Sequence, residues 1–299
     1  MSLVSVVIPA YNAASFVTGA VESVMRQTFQ NFEVIVVDDG SKDLTKQAIE
    51  PFLRDPRVRY HYQENRGLPG ARNSGAMIAR GEYLAFLDAD DFLSTNALEC
   101  MLQAFQFTGA QWLNVGVLKL EGANRTVRHP ITPEGDLLLA ILDSDFITRS
   151  PFYPREQFFS VGMYDEEIRN REDWDINIRM ISAGKRFVTV DEPLYHYSRT
   201  EGSITTGNYG RLFGYTEMLL HKHHKRLADA ANKEVARLYA KNLWELARRY
   251  FYEARAPREA FRCALESQRY DPSLYRMVHP LLKRLETVRK VTPAVTQQK

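Results

Sequence analysis

The stretch VSVVIP at residues 4–9 decides the fold class, because it is a continuous apolar run that a proline ends. A second run, EVIVVDD at residues 33–39, ends at two aspartates. Continuous apolar runs of this length are typical of strands that are buried on both faces, as in parallel sheets. Apolar residues recur at helical spacing over residues 16–25, so the first 39 residues predict a β-α-β unit.

The same alternation continues along the first half of the chain. It predicts helices at about 44–53 and 70–80 and strands at 58–62 and 83–88. These elements together predict an α/β fold with a mostly parallel, doubly wound sheet. Beyond residue 112 the signals become short strands and turns, followed by a helix at about 174–183 and a strand at 186–190.

The chain after residue 210 is predicted to be helical and basic. Val235, Tyr239, Leu243, Leu246 and Tyr250 form one apolar stripe, and prolines at 257 and 272 divide the region into separate helices before a frayed tail from about residue 290. Acidic residues outnumber basic ones in residues 1–209, whereas the reverse holds in 210–299. We therefore expect two domains, a catalytic α/β domain at 1–209 and a basic helical region at 210–299.

Bulk composition indicates an ordinary globular protein of a reducing compartment. Of 299 residues, 44% are hydrophobic, and the two cysteines fit neither a disulfide framework nor paired metal ligands. No leader-like segment and no membrane-spanning stretch is recognised, so we expect a cytoplasmic protein. The basic region 210–299 could contact anionic lipid at the inner face of the membrane, or it could be a solvated packing appendage. It carries no nucleic-acid-reading motif, and we expect no nucleic-acid partner.

Three aspartates, Asp88, Asp90 and Asp91, follow the strand predicted at 83–88. Carboxylates this close repel one another, and a cation relieves the repulsion. Oxygen ligands without cysteine favour Mg²⁺ or Mn²⁺, which commonly bridge one or two carboxylates to substrate phosphates. The alternative is a solvated acidic turn, but loops at the carboxyl ends of parallel strands form the ligand crevice of such sheets, which favours a binding site.

The loop NRGLPGARN at residues 65–73 leads into the predicted helix at 70–80. Its glycines permit close backbone approach, and Arg72 with free N–H groups could meet phosphate oxygens. The loop lacks the Gly-Lys-Ser/Thr ending of a Walker motif, and no Gly-X-Gly-X-X-Gly follows the first strand. These absences exclude a P-loop ATPase and a dinucleotide dehydrogenase.

Six segments in order resemble family 2 glycosyltransferases of the GT-A fold. They are VVIPAYN at 6–12, VVDDGS at 36–41, the loop at 67–73, GEYLAFLDADD at 81–91, REDWD at 171–175 and YHYSR at 195–199. The resemblance covers roughly residues 3–205. It implies the GT-A nucleotide-diphospho-sugar transferase fold followed by a C-terminal helical appendage.

The resemblance also implies roles for single residues on the donor side. Pro9, Tyr11 and Asp39 would hold the nucleotide base and ribose, Arg72 would approach the donor, Asp88 would frame the ribose and the metal, and Asp90 would be the direct metal ligand. His196 would add a metal or diphosphate contact, although a lone histidine after a strand can equally be structural. Arg199 and Ser203 are weaker candidates.

On the acceptor side, Asp173 would be the general base, because the aspartate of this Glu-Asp motif has that role in similar enzymes. A carboxylate that removes the acceptor's proton accelerates transfer by roughly 10²–10⁴-fold. Glu172 and Asp175 could share the role or could be solvent-facing, and Trp174 could stack on a sugar or belong to the core. A single displacement would give inversion at the anomeric carbon.

The sequence thus predicts an inverting, Mn²⁺- or Mg²⁺-dependent glycosyltransferase that moves a sugar, UDP-linked by preference, to a hydroxyl of a glycan or lipid-linked acceptor. Polysaccharide or glycolipid synthesis is the expected setting. The alternatives are a nucleotidyltransferase that makes nucleotide-sugars and a dead, nucleotide-sugar-binding scaffold. A nucleotidyltransferase would need a Gly-rich basic signature after the first strand, where residues 10–14 read AYNAA.

Overall fold

A computed structural model describes residues 3–149, 151–198, 209–229, 232–274, 279–280 and 283. Arg199 and Ser203 lie outside these residues. The chain divides into two compact units, Met1–Glu201 and Gly202–Lys299.

The first unit alternates strands and helices. In chain order its elements are β1 (Val4–Ala10), α1 (Val17–Met25), β2 (Phe32–Asp38), α2 (Thr45–Ile49), β3 (Val58–Tyr62), α3 (Gly67–Ile78), β4 (Tyr83–Phe86), β5 (Phe92–Leu93), α4 (Ala97–Thr108), β6 (Trp112–Glu121), β7 (Asn124–Arg128), α5 (Leu137–Asp143), β8 (Phe152–Pro154), α6 (Arg155–Ser160), α7 (Glu172–Ser182) and β9 (Phe187–Ser198). A 3₁₀ turn, Glu50–Arg54, continues α2.

The first sheet has the strand order β3-β2-β1-β4-β8. Strands β1 to β4 pair in parallel, and only β8 among its described strands runs antiparallel, against β4. Every residue of β1 and β2 is buried, as their unbroken apolar runs predict. The predicted parallel sheet is therefore confirmed.

Helices cover both faces of this sheet. Val6 and Ile8 of β1 share a core with Ala20 and Val21 of α1. On the opposite face, α3 packs so closely on β1 and β2 that a Cβ on Gly75 would overlap the Val7 side chain and lie 3.1 Å from Val37 Cγ2. Because successive side chains of a strand point to opposite faces, α1 and α3 lie on opposite sides and the sheet is doubly wound.

Replacing Gly75 by alanine is expected to destabilise the first unit. The added methyl group has no space between α3 and the sheet, and overpacking of this kind costs about 1–3 kcal/mol. Thermal or urea unfolding of the variant measures the loss. Met77→Ala on the exposed side of the same helix is the matched control and should change stability by less than about 0.5 kcal/mol. Equal stability of the two variants would contradict the close packing of α3.

A second sheet, not predicted from the sequence, has the order β5-β9-β6-β7. Its strand β9 has 12 residues, whereas the predicted strand stops at residue 190. The difference has a physical cause, because the register skips from Val115↔Val190 to Gly116↔Pro193. Asp191 and Glu192 bulge out at this point and interrupt the apolar pattern that the prediction followed.

The second unit contains α8 (Tyr209–Leu220), a π-helical turn (His221–Lys225), α9 (Arg226–Asp229), α10 (Lys233–Tyr252) and α11 (Pro257–Tyr270). The predicted stripe of α10 is buried, and Pro257 opens α11 as its first residue. The stripe is therefore used for packing within this unit. Among the described residues, no helix combines the length and the apolar character that crossing a bilayer requires.

Candidate active site

The aspartate cluster lies where the two sheets of the first unit meet. The backbone N–H of Asp88, just after β4, donates to the Tyr195 hydroxyl at 3.1 Å, and that hydroxyl donates to Asp91 Oδ2 at 2.7 Å. Tyr195 belongs to β9 and is buried. One tyrosine therefore joins the carboxyl end of the first sheet to the second sheet.

Asp91 is buried and serves to hold β9. Its carboxylate accepts from the Tyr195 hydroxyl and, at 2.8 Å, from the backbone N–H of Ser198. Burial, together with the negative charge of Asp88, raises the pKa of Asp91 to about 7. The third aspartate of the cluster is thus engaged by the protein.

Asp88 is neutralised by two arginines rather than left to a metal ion. Its Oδ1 accepts from Arg72 Nη2 at 2.7 Å, and its Oδ2 accepts from Arg149 Nη2 at 2.6 Å. Burial raises the pKa of Asp88, but attraction to the two guanidinium groups outweighs burial, so the pKa falls well below its usual range. The cations that relieve the repulsion at Asp88 in this structure are therefore two guanidinium groups, whereas the sequence favoured Mg²⁺ or Mn²⁺.

The same two arginines hold Asp173, the candidate base. Asp173 lies in the first turn of α7, and its two oxygens are 3.4 Å from Arg72 Nη1 and 3.3 Å from Arg149 Nη1. Its side chain is 40% exposed, whereas that of Arg72 is 2% exposed. Arg72 and Arg149 therefore bridge Asp88 to an aspartate that a ligand can reach.

The side chains next to Asp173 at residues 172, 174 and 175 are buried. Glu172 is buried against Arg72 at 2.9 Å, and burial with the nearby charge of Asp173 raises the pKa of Glu172 to about 7. Asp175 is buried in an ion pair with Arg179, and Trp174 is buried with Nε1 donating to the Ile141 carbonyl at 2.7 Å. Among residues 172–175, all of which the structure describes, Asp173 is the one not buried. Trp174 belongs to the core.

Arg72 itself has little surface to offer a donor. Three carboxylates, from Asp88, Glu172 and Asp173, surround its guanidinium, which also lies over the Tyr164 ring at 5.2 Å. This placement differs from the expected direct approach to the donor, because the charge of Arg72 is already used in holding the two aspartates.

The residues assigned to the nucleotide lie along β1 and β2. Pro9 is buried within β1, and Tyr11, immediately after it, is 51% exposed. Asp39 is buried and accepts from Gln63 Nε2 at 2.7 Å and from the backbone N–H groups of Arg66 and Gly67, both at 2.8 Å. A carboxylate at a helix N-terminus is favourable, so Asp39 fixes the start of α3, which begins at Gly67, within the segment that the sequence predicted to be a loop.

Few of the described side chains are placed to coordinate a metal ion. Among the described residues, no group of three His, Cys, Asp or Glu side chains is placed to hold a metal ion. Asp90 lies half-buried in the turn between Asp88 and Asp91. The carboxylate oxygens of Asp88 and Asp91 already accept the hydrogen bonds from protein groups described above. Mg²⁺ and Mn²⁺ can bind through one or two carboxylates when substrate phosphates and water complete the shell. The residues present therefore fit a metal ion that arrives with a diphosphate.

His196 is not brought to this cluster. It neighbours Tyr195 in β9, so the two side chains point to opposite faces of the strand. The His196 Nε2 lies 3.0 Å from the Ser94 hydroxyl oxygen, and burial lowers the pKa of the imidazole. Its position supports the structural alternative rather than a metal contact.

Arg149 is the functional residue that the sequence did not reveal. Its guanidinium donates to Asp88, to the Tyr195 hydroxyl at 2.8 Å and to Asp173, and it lies over the Tyr195 ring at 4.4 Å. It sits in an irregular segment between α5 and β8, with no strand end or motif beside it. Its two hydrogen-bonded carboxylate partners, Asp88 and Asp173, lie 61 and 24 positions away in the sequence. Local sequence patterns do not reveal contacts over such separations.

Comparison with solved structures supports the fold. The solved structure of S. aureus TarS 1-349 in complex with UDP-GlcNAc matches with a TM-score of 0.70 at 18% sequence identity, covering 97% of this chain and 92% of that one. At this identity the likeness shows the fold alone. The fold of the chain is therefore the GT-A fold, as the sequence predicts.

Sequence comparison identifies the family. Residues 5–165, more than half of the chain, match the sequence model of Glycosyl transferase family 2. Similar proteins include the uncharacterized glycosyltransferase EpsJ of Bacillus subtilis (strain 168), 30% identical over 216 residues, which are 68% of this chain and 63% of EpsJ. The succinoglycan biosynthesis protein ExoO of Rhizobium meliloti (strain 1021) is 34% identical over 221 residues, 68% of this chain and 62% of ExoO. The chain belongs to glycosyltransferase family 2, and it matches slightly less than two thirds of the length of these relatives.

Proposed function

We propose that this protein is an inverting glycosyltransferase that moves a sugar from a nucleoside diphosphate, UDP by preference, to an acceptor hydroxyl in polysaccharide or glycolipid synthesis. The observation that carries the proposal is the bridge of Arg72 and Arg149 between Asp88 and the accessible Asp173. It ties the donor-side cluster to a carboxylate that is exposed enough to meet a second substrate.

Asp173 is suited to proton removal by position. An acceptor hydroxyl is a poor nucleophile at neutral pH, so a carboxylate that accepts its proton while the new bond forms lowers the barrier. The two guanidinium groups, 3.3 and 3.4 Å from the Asp173 oxygens, fix the direction in which the carboxylate faces. Direct attack on an α-linked donor by this hydroxyl gives the β product.

Asp90 is the residue that would hold a divalent cation together with the donor's diphosphate. Such an ion, when bound, stabilises the negative charge that develops on the departing nucleoside diphosphate. Tyr11, exposed after β1, and the Asp39-fixed loop border the space in which we place the nucleotide.

Two relatives support the choice of donor and setting. The TarS structure contains UDP-GlcNAc, and the name of ExoO places that protein in succinoglycan biosynthesis. We extend from them only the class of substrate, a UDP-sugar, and the class of product, a glycan.

A panel of nucleotide-sugars tests the donor proposal by thermal unfolding. A ligand that binds only the native state at about 100 times its Kd stabilises it by about 2.7 kcal/mol, equivalent to a rise in Tm of about 5 °C or more for a chain of this size. We expect UDP and UDP-sugars to give this rise with Mn²⁺ or Mg²⁺ and a clearly smaller one with a chelator. Asp90→Asn should remove the dependence on the metal.

The panel also defines the results that oppose the proposal. If GDP or dTDP raises Tm and UDP does not, that nucleotide takes the place of UDP as the proposed donor nucleotide. The same UDP response in wild type and Asp90→Asn, with or without metal, would remove the metal role from Asp90. No response to any nucleotide would oppose both a transferase and a nucleotide-sugar-binding scaffold.

A further inference from the structure

A cavity of about 170 Å³ opens beside Arg149, on the second sheet of the first unit. Its walls include Thr148 and Arg149 from the irregular segment, Lys119 of β6, Arg128 of β7, and Tyr195 and Tyr197 of β9. The volume suffices for one charged group with part of a sugar ring. The cavity shares Arg149 and Tyr195 with the site described above, and its other walls have no role there.

Strand register explains why these side chains share one wall. Arg128 pairs with Val117, and Val117 pairs with Tyr195, so these three residues form one row across the sheet. Lys119 pairs with Tyr197 in the next row. Because residues two apart point to the same face, both rows face the cavity, which Arg149 also lines.

The cavity is strongly positive. Lys119, Arg128 and Arg149 line it, and none of the described residues on its walls is acidic. Lys119 is 2.8 Å from Glu121 Oε1, and Arg149 pairs with Asp88 and Asp173. Arg128 is exposed and forms no ion pair with any residue that the structure describes. Arg128 therefore has no carboxylate partner among the described residues. Lys119 has one such partner, Glu121, which does not line the cavity.

The position of the cavity assigns it to the acceptor. Arg149 is common to the cavity and to Asp173, whose Oδ2 is 3.3 Å from Arg149 Nη1. A molecule that presents a hydroxyl to Asp173 can therefore place a neighbouring group in the cavity, where Tyr197 offers a flat surface to a sugar ring. Guanidinium and ammonium groups bind phosphate and carboxylate oxygens through charge-assisted hydrogen bonds.

We propose that this cavity binds an anionic group of the acceptor, so that the acceptor is a glycan carrying phosphate or carboxylate close to the hydroxyl that is glycosylated. The inference rests on the proposed function, because it takes Asp173 as the acceptor side of the site. Lys119 and Arg128 are the residues that select the anionic acceptor.

The test measures the binding of sugars that differ only in charge. Glucose 6-phosphate, glucuronate and glucose are titrated by ligand-observed NMR against wild type and Lys119→Gln/Arg128→Gln, each with saturating UDP and Mn²⁺ to fill the donor site. We expect both anionic sugars to bind wild type and to bind the double variant at least tenfold more weakly, since two charged hydrogen-bond donors are lost. Glucose should bind the two proteins equally, and added salt should weaken only the anionic sugars.

Arg125→Gln provides the matched control. Arg125 is an exposed arginine of the same strand, β7, but it is offset by an odd number of residues from Arg128 and so points to the opposite face. This variant should bind both anionic sugars as wild type does. Equal weakening in Arg125→Gln would show a general charge effect and overturn the proposal.

Other outcomes also decide. Equal affinity of the anionic sugars for wild type and the double variant, or no binding of them to wild type, would overturn the proposal. Competition between UDP and glucose 6-phosphate would assign the cavity to the donor and overturn it as well. UDP binding, measured separately, tests the proposed function on its own, so loss of anion selectivity with intact UDP binding leaves the donor assignment standing.

Discussion

Replacing Asp173 by asparagine is expected to lower kcat for sugar transfer by about 10²–10⁴-fold, the range that general-base catalysis contributes. Asparagine has nearly the same shape, and its single amide oxygen can accept from one of the two arginines that now contact Asp173, so most of the site's geometry should be kept. It cannot take up the acceptor's proton. The loss should therefore fall on the chemical step rather than on binding of the donor.

The measurement is UDP release in the presence of acceptor, with UDP affinity measured in parallel. UDP affinity should stay within a few-fold of wild type, because the Asp173 carboxylate lies on the acceptor side of the arginine bridge. Glu172→Gln is the matched control in the same motif, since Glu172 is buried against Arg72 and has no open path to a hydroxyl. A normal rate in Asp173→Asn, or a larger loss in Glu172→Gln, would move the base role to another residue.

The sequence was sufficient to predict the four parallel strands of the first sheet, most clearly β1 and β2, but it did not reveal the antiparallel strand β8. β1 and β2 are buried along all of their residues, so every position carries the same signal. The second sheet lacked such a signal, since β7 is exposed throughout and β9 is interrupted by a bulge at Asp191 and Glu192. Pattern reading works where burial is uniform and fails where a strand changes environment along its length.

Part of the candidate site could likewise be predicted from the sequence, and part could not. Asp39, Asp88 and Asp173 lie next to strand or helix ends that local patterns can locate, and the structure places Asp88 and Asp173 around the same two arginines. The role of Arg72 changes from an expected donor contact to a buried bridge. His196 fails as a neighbour of the cluster because strand alternation turns its ring to the other face. Side-chain direction and long-range ion pairing decide these roles, and neither is visible in a single sequence.

The arginine bridge places positive charge of the protein itself beside the cluster of carboxylates. Arg72 and Arg149 together face Asp88, Glu172 and Asp173, while Asp91, with its pKa near 7, accepts from Tyr195 and Ser198. The positive charge beside Asp88 is thus supplied by the fold. A divalent cation, with Asp90 as its candidate protein ligand, is left to the donor's diphosphate.

Replacing Arg149 by glutamine is expected to reduce kcat by about 10- to 100-fold, the equivalent of the 1.5–3 kcal/mol that one charged hydrogen bond contributes. Its side chain is 20% exposed, so solvent screens part of its attraction to Asp88 and Asp173. Arg149→Lys should lose most of the same activity. An ammonium group keeps the charge but cannot span two carboxylates and the Tyr195 hydroxyl as the planar guanidinium does.

A double-mutant cycle shows whether Arg149 acts through Asp173. If Arg149 positions the base, Arg149→Gln should have little further effect on kcat once Asp173→Asn has removed the base, and the two losses will not add. Surface Arg26→Gln, which removes an exposed i,i+4 ion pair with Glu22, should leave kcat and Tm unchanged. Full additivity of Arg149→Gln and Asp173→Asn would mean that Arg149 contributes independently of the base, through Asp88 and the donor half of the site. Arg149 packs over the Tyr195 ring, so its replacement could also unfold part of the protein and lower activity for that reason alone. The folded fraction of each variant is therefore obtained from its Tm. The fall in kcat must exceed the fall in this folded fraction.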